Sequence, residues 1–316
     1  MNTRDLQYFA MLVKLKNYTQ VAKYFNVSQP SITQAIRRLE QEFDTKLVRK
    51  DRVHRDEMIT RSGQLLYEKA LAINKKIDIA HQEIARSDQR QIKFGLPPII
   101  GKMYISHIIG NLSKQLLQRI KIVSVGSHEL LSELQAGKID IAMLGSIAPI
   151  DQTGIFAELI TARPFSIIVS ADHPLAKKKA VSFQDLTNEI FINYDQQYVH
   201  KAAFQAYSTY AQINPQTAIY KVPNVSWIKE LVRQNKGISL MVKDAVKDEP
   251  GIVALDIKDP IPEKFFISLA TREDYILSDD EQQLITRLKE FTPAASQPPH
   301  NCIVKRFDKR SLMGFE

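Results

Sequence analysis

The stretch QPSITQAIRRLEQ, which begins at Gln29, contains a cluster of hydrogen-bonding side chains. Apolar residues recur at helical spacing there and just beyond it, and they predict one buried stripe of Ile32, Ala35, Ile36, Leu39 and Phe43. The residues left outside this stripe are Gln29, Pro30, Ser31, Thr33, Gln34, Arg37 and Arg38. A glutamine amide can bond two atoms of an adenine edge, and an arginine guanidinium can bond two atoms of a guanine edge. A polar outer face alone is more typical of an ordinary solvated helix. The short turn, the cap, the proline and the basic charge balance described below together favour a DNA-reading face.

Two shorter patterns before this stretch predict the elements that hold it. A first helix follows from apolar residues at i, i+3, i+4 and i+7, which are Leu6, Phe9, Ala10 and Val13. A second is expected over Thr19–Phe25, with its first residue as the cap. Asn26-Val27 leaves room only for a turn, after which Ser28 caps the third helix and Pro30 lies in its first turn. This order is the helix-turn-helix arrangement, whose second helix enters the major groove.

A pair of short strands is predicted after the third helix, in the segment TKLVRKDRVHRDEMITRSG. Val48 and Met58-Ile59 would form the strands, and residues 50–57 the charged loop between them. Such a loop is a wing. The basic side chains at its tip, which would meet phosphate or the minor groove, are Arg52, His54 and Arg55. Thr60 is the predicted cap of the next helix.

The distribution of charge supports a polyanionic partner for this N-terminal unit. Residues 1–62 carry twelve Lys and Arg against seven Asp and Glu, a net of +5, whereas the other 254 residues carry +3. A basic unit on a near-neutral body is typical of a nucleic-acid-binding head. The length of 316 residues predicts two or three domains, of which residues 1–62 are the first.

An uninterrupted helix is predicted from Gln64 to Arg86, because no Pro or Gly occurs there. Its apolar residues are spaced 4, 3, 4, 3 and 4 apart, and they are Leu66, Ala70, Ile73, Ile77, Ala80 and Ile84. That period of 3.5 is typical of a seam between two paired helices. The helix also follows one complete small domain and precedes another, so it has little surface of its own chain to cover. We therefore predict that residues 63–90 join two copies into a homodimer, from which a homotetramer could be built.

Short apolar runs alternate with helical patterns from Ile92 onward. The runs are IKFGL, IKIVSV, IDIAML, FSIIVS, IFIN, IYKV, ISLMV and FFISLA. The alternation predicts an α/β domain over residues 91–292, with a doubly wound sheet that is covered on both faces. Ligands of such sheets bind where strands end and helices begin.

Two corners of this domain have the features of an anion site. In GLPPIIGKMY a strand ends and a helix begins, at Pro98, Ile99 and Ile100. In VGSHELL a helix begins with Ser127 as its predicted cap and with His128 in its first turn. The N–H groups and the dipole at a helix N-terminus attract anions. The alternative is that the prolines and the serine only end strands and start helices.

The head and the start of the linker resemble the LysR-type transcriptional regulators. The resemblance covers LQYFAMLVKLKNYTQVAKYFNVSQPSITQAIRRLEQEFDTKLVRK and ITRSGQLLYEKA, and it is densest over VSQPSITQAIRRLE and the turn from Thr60 to Gly63. It implies a winged helix-turn-helix head, a linker helix that pairs two heads, and a two-lobed α/β effector domain like the periplasmic solute-binding proteins. The lobes would be residues 91–161 with 265–292, and residues 162–264.

Within that family, FGLPPIIGK and LGSIAP are similar to the branch that activates malolactic-fermentation genes in lactic acid bacteria. This similarity implies an activator of promoter DNA and a dicarboxylic acid such as L-malate as effector. The residues themselves do not distinguish activation from repression. The similarity adds Gly145 and Ser146 to the anion site, and a site on the other lobe would use Tyr194, Tyr198, Asn224 and Val225.

Two other classes of protein stay open at this point. A carboxylic-acid-converting enzyme would share the α/β body, but the seven histidines show no i, i+4 pair, and no Gly-x-Ser-x-Gly, P-loop or Gly-x-Gly-x-x-Gly motif occurs. We therefore expect no catalytic residue, cofactor or metal. A transport-type solute-binding protein would match the body but not the head. A single cysteine, Cys302, and the lack of a signal peptide or long apolar run predict a cytoplasmic chain without a membrane segment. Residues 293–316 are predicted to be a mobile extension.

Overall fold

The computed structural model describes residues 2–50, 57–87, 91–193, 199–219, 225–261 and 264–290. The chain divides into two compact units, Met1–Asp88 and Gln89–Glu316. The first unit contains α1 (Thr3–Leu15), α2 (Tyr18–Tyr24), α3 (Gln29–Glu42), β1 (Val48–Lys50), β2 (Glu57–Ile59) and α4 (Arg61–Ser87). The predicted helix-turn-helix with a two-stranded wing is therefore confirmed.

The apolar stripes of α1 and α3 form the core of this head. Leu6, Phe9, Ile32 and Leu39 are each at most 1% exposed. Leu6 and Phe9 are three positions apart, and Ile32 and Leu39 are seven apart, so each helix turns its pair to the same side. Phe43, the last residue of the predicted stripe, is 46% exposed because it lies just past the end of α3, so its predicted burial is wrong. The turn before α3 places Asn26 in the left-handed region, with φ of 53°. Asparagine tolerates that conformation better than most residues.

Side chains close the start of every helix in the head. Asn2 and Asp5 form a capping box on α1, and Ser28 accepts from the Ser31 N–H at the start of α3. The predicted cap of α2 at Thr19 is wrong, since the helix begins one residue earlier and Asn17 accepts from the Gln20 N–H at 3.0 Å. Both Asn and Thr are good caps, and only the position of the turn decides between them.

The wing leads directly into α4 through a crowded turn. β1 and β2 pair antiparallel, with Val48 opposite Ile59. Thr60 caps α4, because its Oγ1 accepts from the Gly63 N–H at 3.0 Å while it donates to the Lys46 carbonyl at 2.7 Å. A Cβ on Gly63 would lie 2.3 Å from the Leu47 carbonyl oxygen, so this position requires glycine.

The seam predicted along α4 divides into two parts. Ala70 is fully buried in the core of the head, so the prediction that it faces another chain is wrong, and Leu66 is partly buried against the same core. The small domain needed the first turns of α4 to close its own core. The later seam positions are not packed in this way, and Ile73 and Ile84 are 40% and 67% exposed.

The second unit contains ten strands and six helices within the described residues. The strands are β3 (Ile92–Gly95), β4 (Ile120–Val123), β5 (Ile141–Ser146), β6 (Ile155–Ser170), β7 (Ala180–Val181), β8 (Phe191–Asn193), β9 (Thr217–Ile219), β10 (Ser239–Val242), β11 (Ile252–Ile257) and β12 (Lys264–Arg272). The helices are α5 (Pro98–Asn111), α6 (Lys114–Arg119), α7 (Ser127–Gln135), α8 (Val199–Tyr210), α9 (Val225–Arg233) and α10 (Asp279–Glu290).

The strands pair in the order β4-β3-β5-β12-β6-β11-β7, with β10 also beside β6. β3 is parallel to β4 and β5, as a doubly wound sheet requires, but β12 is antiparallel to both β5 and β6. The prediction of a doubly wound sheet is therefore wrong for the middle of the domain. There the chain returns from one lobe to the other and inserts β12 in the opposite direction.

The long strand β6 joins the two lobes of this unit. Its first part, Ile155–Pro164, pairs with β12, and its last part, from Phe165 to Ser170, pairs with β10 and β11. The sequence predicted only that last, apolar part, because Pro164 and the polar residues before it are unusual for an inner strand. We call the part built on β3, β4, β5 and β12, with α5, α6, α7 and α10, lobe I. Lobe II is the part built on β7 to β11, with α8 and α9.

Candidate DNA interface and effector pocket

The polar residues of α3 share one outer face. Gln29, Pro30, Ser31, Gln34 and Arg37 are exposed, and Thr33 is half-buried. The Gln29 Nε2 donates to the Thr33 Oγ1 at 3.2 Å, and the Ser28 and Ser31 hydroxyls lie 2.8 Å apart. The first turn of α3 thus holds its own hydroxyls in place, whereas Gln34 and Arg37 extend from the second and third turns on the same face.

Arg38 has a different role from the one that the sequence predicted. Its Nη2 and Nε donate to the two carboxylate oxygens of Asp5 at 2.6 and 3.1 Å, and the Asp5 side chain is completely buried. Burial alone would raise the pKa of Asp5, but the hydrogen bonds from Arg38 and Asn2 outweigh it and hold that pKa below its usual value. The guanidinium N–H groups that would contact a guanine are bonded to Asp5 instead. We therefore reassign Arg38 from DNA contact to the connection between α3 and α1.

A basic groove that the sequence analysis missed lies beside α3. It has a volume of about 1060 Å³ between the end of α3, the base of the wing and the start of α4. Its lining includes four basic residues, Arg37, Lys46, Arg49 and Arg61, and two acidic ones, Glu40 and Asp44. Glu40 is already engaged, since it pairs with Lys46 and accepts from the Leu47 N–H. The signal was present in the sequence as basic residues on both sides of the wing. The wing-tip residues Arg52, His54 and Arg55 lie outside the described residues.

Four helices of the second unit begin at one pocket between the lobes. The lining residues are Pro97, Pro98, Ile99, Gly126, Ser127, Val199, His200, Val225 and Phe265. The starts of α5 and α7 come from lobe I, and those of α8 and α9 from lobe II. The fold therefore brings together the two corners that the sequence indicated, and it adds two helix starts from the other lobe.

The two helix starts of lobe I lack side-chain caps. Pro97 and Gly126 are the residues at the cap positions of α5 and α7, and neither provides a side-chain hydrogen bond. The first N–H groups of an α-helix have no partner inside the helix. Together with the helix dipole, such groups favour an anionic ligand.

Ser127 is not the cap that the sequence predicted. It is the first residue of α7, and its Oγ accepts from the Gly145 N–H at 2.9 Å, which ties α7 to the end of β5. Gly145 does not line the pocket, but its lack of a side chain shapes the pocket. A Cβ at this position would lie 2.3 Å from the Phe265 ring, so the glycine makes room for the aromatic wall of the pocket.

The pocket contains a histidine that sequence reasoning missed. His200 is 2% exposed and lies between two rings, with centroids 5.7 Å from Phe165 and 5.6 Å from Phe265. Burial lowers the pKa of His200 to about 3, so the ring is neutral at physiological pH. Nothing in the local sequence separates His200 from the other histidines, because its neighbours in space come from β6 and β12.

Several predicted effector residues lie away from the pocket lining. Ile100 is fully buried in the core, His128 is exposed, and the Ser146 hydroxyl donates to the Ala148 carbonyl at 2.5 Å. The assignment of direct ligand contacts to these three residues is therefore not supported by the geometry. Tyr194, Tyr198 and Asn224 lie outside the described residues, as does the extension over residues 293–316.

The pocket is small. Its volume is about 20 Å³, which is enough for roughly one water molecule. Its walls are mostly apolar, and Ser127 and His200 are the polar side chains in the lining. An organic acid is larger than this volume, so its binding would require the lining to move.

The described parts of the chain contain neither of two other kinds of site. No group of three or more His, Cys, Asp and Glu side chains in them is placed to hold a metal ion. Among the helices that the structure describes, none has both the length and the apolar character that a membrane crossing needs.

The sequence matches two family descriptions, one for each unit. Residues 3–64 match "Bacterial regulatory helix-turn-helix protein, lysR family", and residues 85–293 match "LysR substrate binding domain". A malolactic fermentation system transcriptional activator of Lactococcus lactis is 36% identical over 92% of this chain and 98% of its own length. A hydrogen peroxide-inducible genes activator of Dickeya chrysanthemi is 25% identical over 92% of this chain and 95% of its own length.

Solved structures share this fold at low sequence identity. Full-length BenM aligns over 92% of this chain and 96% of its own length, with a TM-score of 0.53 and 21% identity. The effector-binding domain of QuiR in complex with shikimate aligns over 64% of this chain and 96% of its own length, with a TM-score of 0.56 and 20% identity. The family matches span both units and the Lactococcus relative covers nearly the whole length. The chain therefore belongs to the LysR family of DNA-binding transcriptional regulators.

Proposed function

We propose that this regulator is an activator that binds promoter DNA as a dimer, and that a small organic acid such as L-malate controls it by binding between the lobes. Four helix N-termini meet at one pocket around Ser127 and His200, and this observation supports an organic acid as the effector. The name of the Lactococcus relative supports both the activating role and the carboxylic acid.

The DNA contact would use the outer face of α3 and the basic groove beside it. Gln34 and Arg37 are exposed on the second and third turns of α3, on the outer face that a recognition helix presents to base edges. Arg49 and Arg61 line the groove next to that face and carry the charge that phosphates attract. We therefore assign base reading to α3 and backbone contacts to the groove and the wing, including Arg52, His54 and Arg55.

The effector would be recognised as an anion. A carboxylate between the uncapped starts of α5 and α7 would accept N–H groups from both helices, and the Ser127 hydroxyl would add a donor. His200 is neutral in its buried position, but a neighbouring carboxylate would raise its pKa and favour its protonated form. Binding would then take up a proton, and the affinity would increase as the pH falls.

The cysteine content favours a ligand over a redox signal. Several relatives are named as hydrogen peroxide-inducible genes activators. This sequence of 316 residues has one cysteine, Cys302, so it cannot form a disulfide within the chain. A sensor that works by pairing two of its own cysteines would need a second one.

The organisation that we propose follows the same reasoning. Residues 1–62 are the DNA-binding domain, residues 63–90 the linker, and residues 91–292 the effector domain, with its lobes divided near residues 161 and 265. Ile73, Ile77, Ala80 and Ile84 form the contact between two linker helices. Because its partner is promoter DNA, we place the protein in the cytoplasm as a homodimer or homotetramer.

Calorimetry on the full chain tests the proposed effector. L-Malate, citrate and succinate would be titrated at pH 6 and pH 8 in pairs of buffers with different ionisation enthalpies, which reveals proton uptake on binding. We expect one acid to bind more tightly at pH 6 with uptake of a proton that the His200→Gln variant loses. A failure of all three acids to bind would overturn the carboxylic-acid assignment but not the DNA-binding one, which duplex titrations measure separately.

A further inference from the structure

A buried ionic cluster connects the two lobes at a distance of one helical turn from the pocket. The Lys229 Nζ on α9 donates to the Glu249 Oε1 at 2.8 Å and to the Ala245 carbonyl at 2.7 Å. The Lys102 Nζ on α5 donates to the same Oε1 of Glu249. Lys102 belongs to lobe I, whereas Lys229 and Glu249 belong to lobe II, so one carboxylate oxygen joins the lobes.

The two lysines lie one helical turn after the helix starts that line the pocket. Pro98 begins α5 and Val225 begins α9, and both residues line the pocket. Lys102 and Lys229 each lie four residues further along the same helix. Residues four apart lie on one face of a helix, separated by about 6 Å along its axis. The two helix starts that face the ligand site are thus bound together one turn behind it.

The carboxylate at the centre of this cluster is mostly shielded from solvent, although Lys102 itself is 42% exposed. The side chains of Lys229 and Glu249 are 9% and 19% exposed, and the Arg233 Nη2 lies 3.4 Å from the other carboxylate oxygen. Hydrogen bonds from Lys102 and Lys229 lower the pKa of Glu249 to about 2, so the carboxylate stays charged at any physiological pH. Partly buried pairs of this kind are screened less by salt than exposed ones.

We propose that Glu249 is a latch that holds α5 and α9 together and keeps the lobes closed until an anion enters the pocket. This inference rests on the proposed effector site for its trigger. An organic acid needs more room than the pocket volume of about 20 Å³, and two of the helix starts that line the pocket are those of α5 and α9. In this proposal the acid makes room by moving these two starts apart. The two helices are stiff over one turn, so that separation would pull Lys102 away from Glu249.

Lys102→Met breaks the connection between the lobes and leaves the rest of the cluster in place. The Lys102 side chain is 42% exposed, so the variant should fold. Lys243→Met is the matched control, because Lys243 is 46% exposed and pairs with Asp256 within lobe II. Lys102→Arg keeps the charge and tests for rescue.

Hydrogen exchange on the full chain, followed by mass spectrometry without any ligand, is the first measurement. We expect faster exchange in peptides from the first half of α5 and from residues 243–250 in Lys102→Met only. Calorimetry with L-malate is the second, and we expect Lys102→Met to bind about fivefold more tightly, since the latch no longer opposes opening. Lys102→Arg should behave like wild type in both.

Equal exchange in Lys102→Met and Lys243→Met would overturn the latch. It would also be overturned if wild type binds L-malate and Lys102→Met binds it no more tightly. If wild type does not bind L-malate at all, the effector assignment fails alone, and the exchange measurement by itself decides whether the latch exists.

Discussion

The helices of the head begin with side-chain caps, whereas two helices that begin at the pocket of the effector domain do not. Each helix of the head begins at a side chain that accepts its first N–H groups, as Asn2, Asn17, Ser28 and Thr60 do. In lobe I, α5 and α7 begin at Pro97 and Gly126 without such a cap. A side-chain cap accepts hydrogen bonds from the first backbone N–H groups of a helix. An uncapped helix start inside a cleft leaves these N–H groups available to an anion.

The difference indicates which groups each region offers to a ligand. The head satisfies its own backbone and presents side chains on the outside of α3, which suits a surface that must meet a long, regular polymer. The effector domain presents backbone donors in a small pocket, which suits one small molecule. The following predictions, from the largest effect to the smallest, test whether the two regions divide the work in this way.

The exposed part of the linker gives the largest expected effect. Ile77→Glu would place two like charges at the seam between paired helices, so the chain should become monomeric. A monomer contacts one half of its site, and operator affinity should fall by about 100-fold or more. Sedimentation and duplex titration measure the two effects, with Lys75→Glu on the exposed outer face as the control. A dimeric Ile77→Glu variant would contradict the proposed seam.

Ser127→Asp tests whether the pocket receives an anion. The aspartate can still accept from the Gly145 N–H, as Ser127 does, but its charge would repel a carboxylate. Repulsion of this kind costs several kcal/mol, so the affinity for L-malate should fall by more than about 100-fold. Ser127→Asn is the isosteric neutral control, and calorimetry compares the two. Binding of L-malate by Ser127→Asp at wild-type strength would place the effector elsewhere.

Two substitutions in the head separate base reading from backbone contact. Gln34→Ala should lose roughly 1–3 kcal/mol of discrimination at particular base pairs. Arg49→Ala should weaken all duplexes alike and reduce the salt slope by about 1. Titrations on operator and scrambled duplexes over a range of salt concentrations distinguish them. A uniform loss for Gln34→Ala would remove it from the base-reading set.

Arg38→Ala tests the reassignment of this residue from the DNA to the core. The variant leaves the buried Asp5 carboxylate without its main partner, and the head should lose about 1–3 kcal/mol of stability. Because the folded-state pKa of Asp5 is lowered, its stabilising contribution is present above pH 4 and is lost as the pH falls further. Denaturant unfolding should show this acid sensitivity in wild type and less of it in the variant. Arg37→Ala, the exposed neighbour, should instead weaken DNA binding without loss of stability.

The effect of His200 is absent at neutral pH and appears only as the pH falls. Its pKa is about 3 in the folded state against an ordinary value of 6.5, so the unfolded chain binds more protons between these two values. Stability is therefore complete above pH 6.5 and falls as the pH decreases below it, by up to about 1.4 kcal/mol per pH unit. Thermal unfolding at pH 7 and pH 5 should show a smaller difference in His200→Gln. An equal difference in both proteins would mean that the ring is hydrated.

The sequence alone was sufficient for most of the head. Its helices follow from apolar residues three and four positions apart, and the turn before α3 follows from Asn26, Ser28 and Pro30. These signals are local, because a helix turns residues of fixed spacing to one side whatever the rest of the chain does. The errors were small shifts, such as the cap of α2 at Asn17 in place of Thr19.

Other properties depend on which distant residues become neighbours, and these only the tertiary structure decided. The partner of Arg38 is Asp5, 33 residues away, and that of Ser127 is the Gly145 backbone, 18 residues away. His200 was one histidine of seven until β6 and β12 placed two phenylalanine rings around it. Burial and pairing set its charge and its role, and both arise from packing, which the spacing of residues along one segment does not encode.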